Sequence, residues 1–119
     1  MNSSLVQIFL NNGSGSFNIQ DTTYTVGISP FDMIVGDWNC DSIYDLAITN
    51  SGEDTLSLIY GKGTGDFELP IKIISGRGPR SIAAADFDND SKMDFVVGHQ
   101  FYVRTSGLSL LTGDFSITL

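Results

Sequence analysis

Apolar and polar positions alternate with a period of two along most of this chain. Thr55-Leu56-Ser57-Leu58-Ile59-Tyr60 and Leu69-Pro70-Ile71-Lys72-Ile73-Ile74 alternate as strands do. Ile82-Ala83-Ala84-Ala85 and Phe95-Val96-Val97-Gly98 are short apolar runs bounded by turn residues. No window of helical length carries a stripe at the spacing of a helix, so the pattern predicts an all-β chain.

The pattern also repeats. Val6-Gln7-Ile8-Phe9-Leu10-Asn11-Asn12-Gly13-Ser14-Gly15-Ser16-Phe17 aligns with Leu56-Ser57-Leu58-Ile59-Tyr60-Gly61-Lys62-Gly63-Thr64-Gly65-Asp66-Phe67 at an offset of 50 residues. A third copy, Leu108-Ser109-Leu110-Leu111-Thr112-Gly113-Asp114-Phe115, has lost four residues from its Gly-rich turn. Pro30 to Asn50 aligns with Pro79 to His99 at an offset of 49, with Pro30/Pro79, Asp37/Asp86, Asp41/Asp90, Ser42/Ser91 and Asp45/Asp94 identical. Each unit reads as four short strands, at 32–36, 45–49, 55–60 and 67–74 in the complete copy.

Four strands in 40 to 50 residues is the signature of a β-propeller blade. The expected division is the end of one blade over 1–27, a complete blade over 28–76, and a further blade over 77–119 with degenerate late strands. One blade cannot bury both of its faces, so the chain is expected to be a fragment of a larger propeller, open to self-association through exposed blade edges. The alternative is a small self-contained β-sandwich.

Composition narrows the function. The chain has 119 residues, one domain's worth, and its 14 acidic residues against 6 Lys and Arg give a net charge of −8. That balance excludes a nucleic-acid binder and disfavours attachment to anionic lipid. No apolar run is long enough to span a membrane, and Met1 to Leu10 lacks the basic start and long apolar centre of a signal peptide. Cys40 and His99 are the single cysteine and histidine, which rules out an internal disulfide and a Cys/His zinc site.

The negative charge is focused. Seven of the 14 acidic residues fall in Asp37-Trp38-Asn39-Cys40-Asp41-Ser42-Ile43-Tyr44-Asp45 and Asp86-Phe87-Asp88-Asn89-Asp90-Ser91-Lys92-Met93-Asp94, between the first two strands of each unit. Both windows follow D-x-[DN]-x-D-S-x-x-D. Oxygen ligands at alternate loop positions suit calcium: side chains at positions 1, 3 and 5 and a backbone carbonyl at 7 converge on one ion. Position 7 is Ile43 or Lys92, by carbonyl only, and Asp45 or Asp94 at position 9 supplies a last carboxylate. The competing reading is a pair of Asx turns at hairpin tips. An EF-hand is excluded because strands flank each loop and position 12 is not Glu.

With the Pro before the first strand, these loops, the apolar strand after them, and the G-x-G-x-F turns Gly13-Ser14-Gly15-Ser16-Phe17 and Gly63-Thr64-Gly65-Asp66-Phe67, the chain resembles the FG-GAP/VCBS repeat family, the integrin-α-type β-propeller blades. The resemblance covers nearly the whole chain. It implies calcium on one face of a propeller, held by the side chains of Asp37, Asn39, Asp41 and Asp45 and of Asp86, Asp88, Asp90 and Asp94. It also implies an extracellular or cell-surface location and a non-catalytic role toward a protein or glycan ligand. A carbohydrate-binding propeller and an adjunct to a secreted hydrolase or lyase are the alternatives. One departure is Ser42 and Ser91 at position 6, where the family usually has Gly; if that position needs a positive φ, Ser costs about 1 kcal/mol.

The remaining motifs are weaker. Gly61-Lys62-Gly63-Thr64-Gly65 lacks the phosphate-loop pattern and reads as a hairpin turn. His99 has no nucleophile in any recognisable motif around it. Asn2, Asn12 and Asn89 open N-x-[ST] tripeptides, which a chain rich in Ser and Thr produces by chance.

Overall fold

The computed structural model describes residues 4–105 and 108–118. Among them the two-residue period becomes nine strands and no helix. They are β1 (Leu5–Asn11), β2 (Phe17–Thr25), β3 (Pro30–Gly36), β4 (Asp45–Asn50), β5 (Thr55–Ile59), β6 (Ile71–Ile74), β7 (Pro79–Ala85), β8 (Asp94–Thr105) and β9 (Leu108–Thr118). They form three antiparallel sheets, β1–β2, β3–β4–β5–β6 and β7–β8–β9. The middle sheet is a four-stranded meander of the blade type, and the architecture is that of a β-propeller fragment with no closed ring of sheets among the described residues.

Two elements differ from the sequence reading. The fourth strand, expected over 67–74, begins at Ile71. Pro70 has no N–H to give a ladder, and the stretch before it is held by the Gly61↔Phe67 bridge, a 2.7 Å bond from Glu68 N to Tyr60 O and a 2.9 Å bond from Phe67 N to Tyr24 Oη. The turn expected within Leu108–Phe115 is absent as well. β9 runs through Thr112, Gly113 and Asp114 in continuous register with β8, from Phe95↔Thr118 to Thr105↔Leu108. In the full copies the turn needs its extra residues: Lys62 N reaches Asp66 O at 3.0 Å around Gly63 and Gly65, both at positive φ. Without them the pairing of β8 with β9 runs unbroken from Thr105↔Leu108.

β4 is buried along its whole length because it is covered on both sides. Leu46 and Ile48 pack with Tyr24, Val26 and Ile59 toward the first sheet. Ala47 packs with Leu56, Leu58, Ile82, Phe95 and Val97 toward the third. Strand alternation thus feeds two separate cores, each buried Leu or Ile contributing about 1.5–3 kcal/mol.

Polar bonds then register one sheet on the next. Thr49 Oγ1 donates to Arg80 O at 2.9 Å, and Ile82 N donates to Asp32 Oδ2 at 3.2 Å. Buried Asn50 accepts from Gly27 N at 3.2 Å and donates to Ser57 Oγ at 2.9 Å. His99 occupies the same place one repeat later, with Nδ1 2.9 Å from Arg77 O and its ring above Gly76. Its role is to seat the linker between sheets. Of the N-x-[ST] residues, Asn2 lies outside the described residues, and Asn12 accepts from Ser14 N at 2.8 Å inside the β1–β2 turn.

Candidate metal centre

Strand pairing brings the ends of each acidic loop together. Gly36 pairs with Asp45, and Ala85 with Asp94, so positions 1 and 9 of each loop meet at the base of a hairpin. The carboxylate at position 1 then folds the loop around itself. Asp37 Oδ1 accepts from Asp41 N at 3.1 Å, and Asp37 Oδ2 from Ser42 N at 2.7 Å. In the second loop Asp86 accepts from Asp90 N at 3.0 Å and from Ser91 N at 2.8 Å. Position 5 does the same on a smaller scale: Asp41 accepts from Ile43 N and Asp90 from Lys92 N, both at 2.9 Å.

The bonds at position 5 are Asx turns, those at position 1 close the wider loop, and together they bring the carboxylates close to one another. Oxygens of Asp37, Asp41 and Asp45 lie within 4.8 Å of each other, as do those of Asp86, Asp88, Asp90 and Asp94. The Asn39 carboxamide has one terminal atom 3.1 Å from Asp37 Oδ1 and 2.9 Å from Asp41 Oδ1; with nitrogen there, it donates to both. All candidate side chains of the sequence reading are therefore gathered in their two loops. Ile43 and Lys92 are placed by their N–H groups. The carboxylates of each cluster offer anionic oxygen donors, which fit a hard divalent cation.

The charges are already felt. Burial pushes the Asp88 carboxyl up, with Asp90 alongside adding to the effect. Asp90 is held below the usual carboxylate range by the Lys92 N–H, against an opposing effect of burial. For Asp37, burial works upward but the N–H groups of Ser42 and Asp41 outweigh it, and the carboxyl lies low.

The backbone explains the departure at position 6. Ser42 and Ser91 have φ of 66° and 69°, so both stand in the left-handed region that favours glycine. Position 4 is left-handed too, at Cys40 (φ 61°) and Asn89 (φ 59°). Asn tolerates that region and Cys does so poorly, a distinction the motif did not reveal. Ser91→Gly is expected to raise stability by about 0.5–1 kcal/mol, the relief of left-handed strain less the extra freedom of the unfolded chain. Thermal unfolding of the single variant measures it, and a loss of stability would show that the Ser91 hydroxyl does more for the loop than glycine's freedom.

Three residues matter more than their sequence positions suggested. Asp45 is fully buried, and its two oxygens accept from Trp38 N and Gly61 N, each at 2.8 Å. It ties the loop's start, the start of β4 and the chain after β5 to one carboxylate. Trp38 sits between two acidic positions, yet its ring folds over Gly36 and meets Phe95 edge to face at 4.8 Å. The signal for it was an aromatic at position 2 of both loops, Trp38 and Phe87. Gly61 had no signal beyond its place before a turn.

Residues 41–97 match the family model of the FG-GAP-like repeat. The matched span runs from inside the first acidic loop, through β4 to β7 and the whole second loop, into β8. It is consistent with the FG-GAP/VCBS type of repeat. No curated protein and no solved structure matches the chain.

Proposed function

We propose that this chain, which carries an FG-GAP-like repeat, is a calcium-binding propeller module of an extracellular or cell-surface protein that presents its loops to a protein partner. FG-GAP repeats are generally non-catalytic, and a non-enzymatic role fits that. The observation that carries the reading is the recurrence of one acidic loop at equivalent places in two sheets, with the same internal hydrogen bonds and the same convergence of oxygens. A turn needs no such gathering of like charges; a cation repays it. When bound, calcium would offset two of the negative charges in each cluster and stiffen the hairpin that carries it. Asp37, Asn39, Asp41 and Asp45, with the Ile43 carbonyl, would hold one ion. Asp86, Asp88, Asp90 and Asp94, with the Lys92 carbonyl, would hold the other. The blade division at 1–27, 28–76 and 77–119 belongs to the same proposal.

The two loops differ in how they wait for the ion. The second offers four carboxylates, and ligand charge tunes calcium affinity. The first offers three and an amide, and that amide must turn over to present oxygen, giving up its donation to Asp37 and Asp41. Calcium at roughly 0.1–1 mM, the range of extracellular modules, is therefore expected to fill the second loop first. At tenfold excess over its dissociation constant each site would add about 1.4 kcal/mol, with magnesium doing less. Calorimetric titration of the wild type, Asp90→Ala and Asn39→Asp checks this. Asp90→Ala removes the tighter phase, and Asn39→Asp brings the two phases together. A folded chain that takes up no calcium would overturn the reading.

A further inference from the structure

β3 turns Met33 and Val35 outward, at 49 and 57% exposure, whereas Phe31, at the bulge, lies under the Arg80 guanidinium of the third sheet, 4.6 Å from its ring centre. The repeat itself indicates what covers such a face. Met33 corresponds to Ile82 at the 49-residue offset, and Ile82 is buried in a core with Ala47, Leu56 and Leu58. Bonds from β3 and β4 register that contact: Asp32 accepts from Ile82 N, and Thr49 donates to Arg80 O. Covering Met33 in the same way takes a strand pair of the β3–β4 kind. The second such pair in this chain is β7–β8, and its outward face carries Ala83, exposed where β3 has Ile34.

The strand edges match as the faces do. β1 copies β5 in sequence, and the edge that β5 gives to β4 has no partner on β1 among the described residues. β8 stands in the place of β4, but its outer edge is held by β9 out of the repeat's register. Leu46 pairs with Ile59 in the middle sheet, whereas the equivalent Phe95 pairs with Thr118, well beyond the stretch of β9 that copies β5. The edge of β8 thus has a better-matched partner in β1 of another copy.

We propose that copies of this chain assemble head to tail, β1 of one copy displacing β9 from the edge of β8 in the next. β7–β8 and β1–β2 then complete one four-stranded sheet, and Met33 of the first copy lies against the Ala83 face of the second. Each copy contributes two full blades, so rings of four to eight blades close with two to four copies. The interface is heterologous, because the two surfaces that meet are different. The proposal stands independently of the metal reading.

The test uses the full chain, with calcium held constant and mass measured by light scattering after size exclusion. Wild type is expected at two to four times the 12.9 kDa of one chain. Met33→Glu spoils the head and Ala83→Glu the tail, so each alone should run at the mass of one chain. Val35→Glu repeats the head test, and Trp38 fluorescence checks that each variant keeps its fold. Mixing Met33→Glu with Ala83→Glu should restore pairs, and only pairs, since one good head and one good tail remain. A monomeric wild type would overturn the proposal. So would an Ala83→Glu chain that still assembles, which points to a face-to-face pair, or a mixture that stays monomeric.

Discussion

Asp45→Ala is expected to cost about 3 kcal/mol in buffer stripped of divalent cations. The loss arises in the apo fold. Asp45 is fully buried and accepts from Trp38 N and Gly61 N at 2.8 Å, so truncation removes two charge-assisted bonds and leaves two part-buried N–H groups unmatched. For a chain of this length that is a fall of about 10 °C in Tm. Asp41→Ala provides the contrast. Its carboxylate accepts only exposed bonds, from Ile43 N and from the Asn39 amide, and its removal without metal should stay near about 1 kcal/mol. If the two variants lose the same stability without calcium, Asp45 is merely one more loop carboxylate.

The contrast marks where reading the sequence stops. Period-two alternation and the 49-residue offset carried the strands, the hairpin reading of Gly61 to Gly65 and both acidic loops, because each depends on neighbours in the chain. The break before Ile71 follows from Pro70 and was legible in principle; treating 67–74 as one alternating run hid it. β9 was misread because a motif missing four residues still looks like its parent, although the chain runs straight through it in register with β8. Asp32, Thr49 and Asn50 left no mark at all. Their work is to bond the next sheet or the linker between sheets, and partners 17 to 50 residues away do not show in a linear pattern. At the loops, residue types announced the oxygens. Only the backbone revealed that position 4 is as strained as position 6, and that Asp45 serves the fold before it serves any ion.

Leu56→Ala tests whether the sheets melt together. Leu56 is fully buried in the core that joins the second and third sheets, among Ala47, Leu58, Ile82, Phe95 and Val97. Its side chain therefore holds two sheets, and the cavity left by truncation is lined from both. The expected cost is about 3 kcal/mol, within the range for Leu to Ala in a packed core. The chain supplies its own reporter. Trp38, its single tryptophan, packs edge to face on Phe95 at that interface, so its fluorescence follows separation of the sheets, while far-ultraviolet dichroism follows all the strands. Thr49 and Asp32 bond the third sheet to the second, and that coupling predicts one transition by both probes in wild type and variant alike. Denaturant titration should shift the midpoint without changing the slope. Tryptophan fluorescence that moves well before the dichroism in Leu56→Ala would show instead that the third sheet leaves first, and that the sheets are separable units joined by one core.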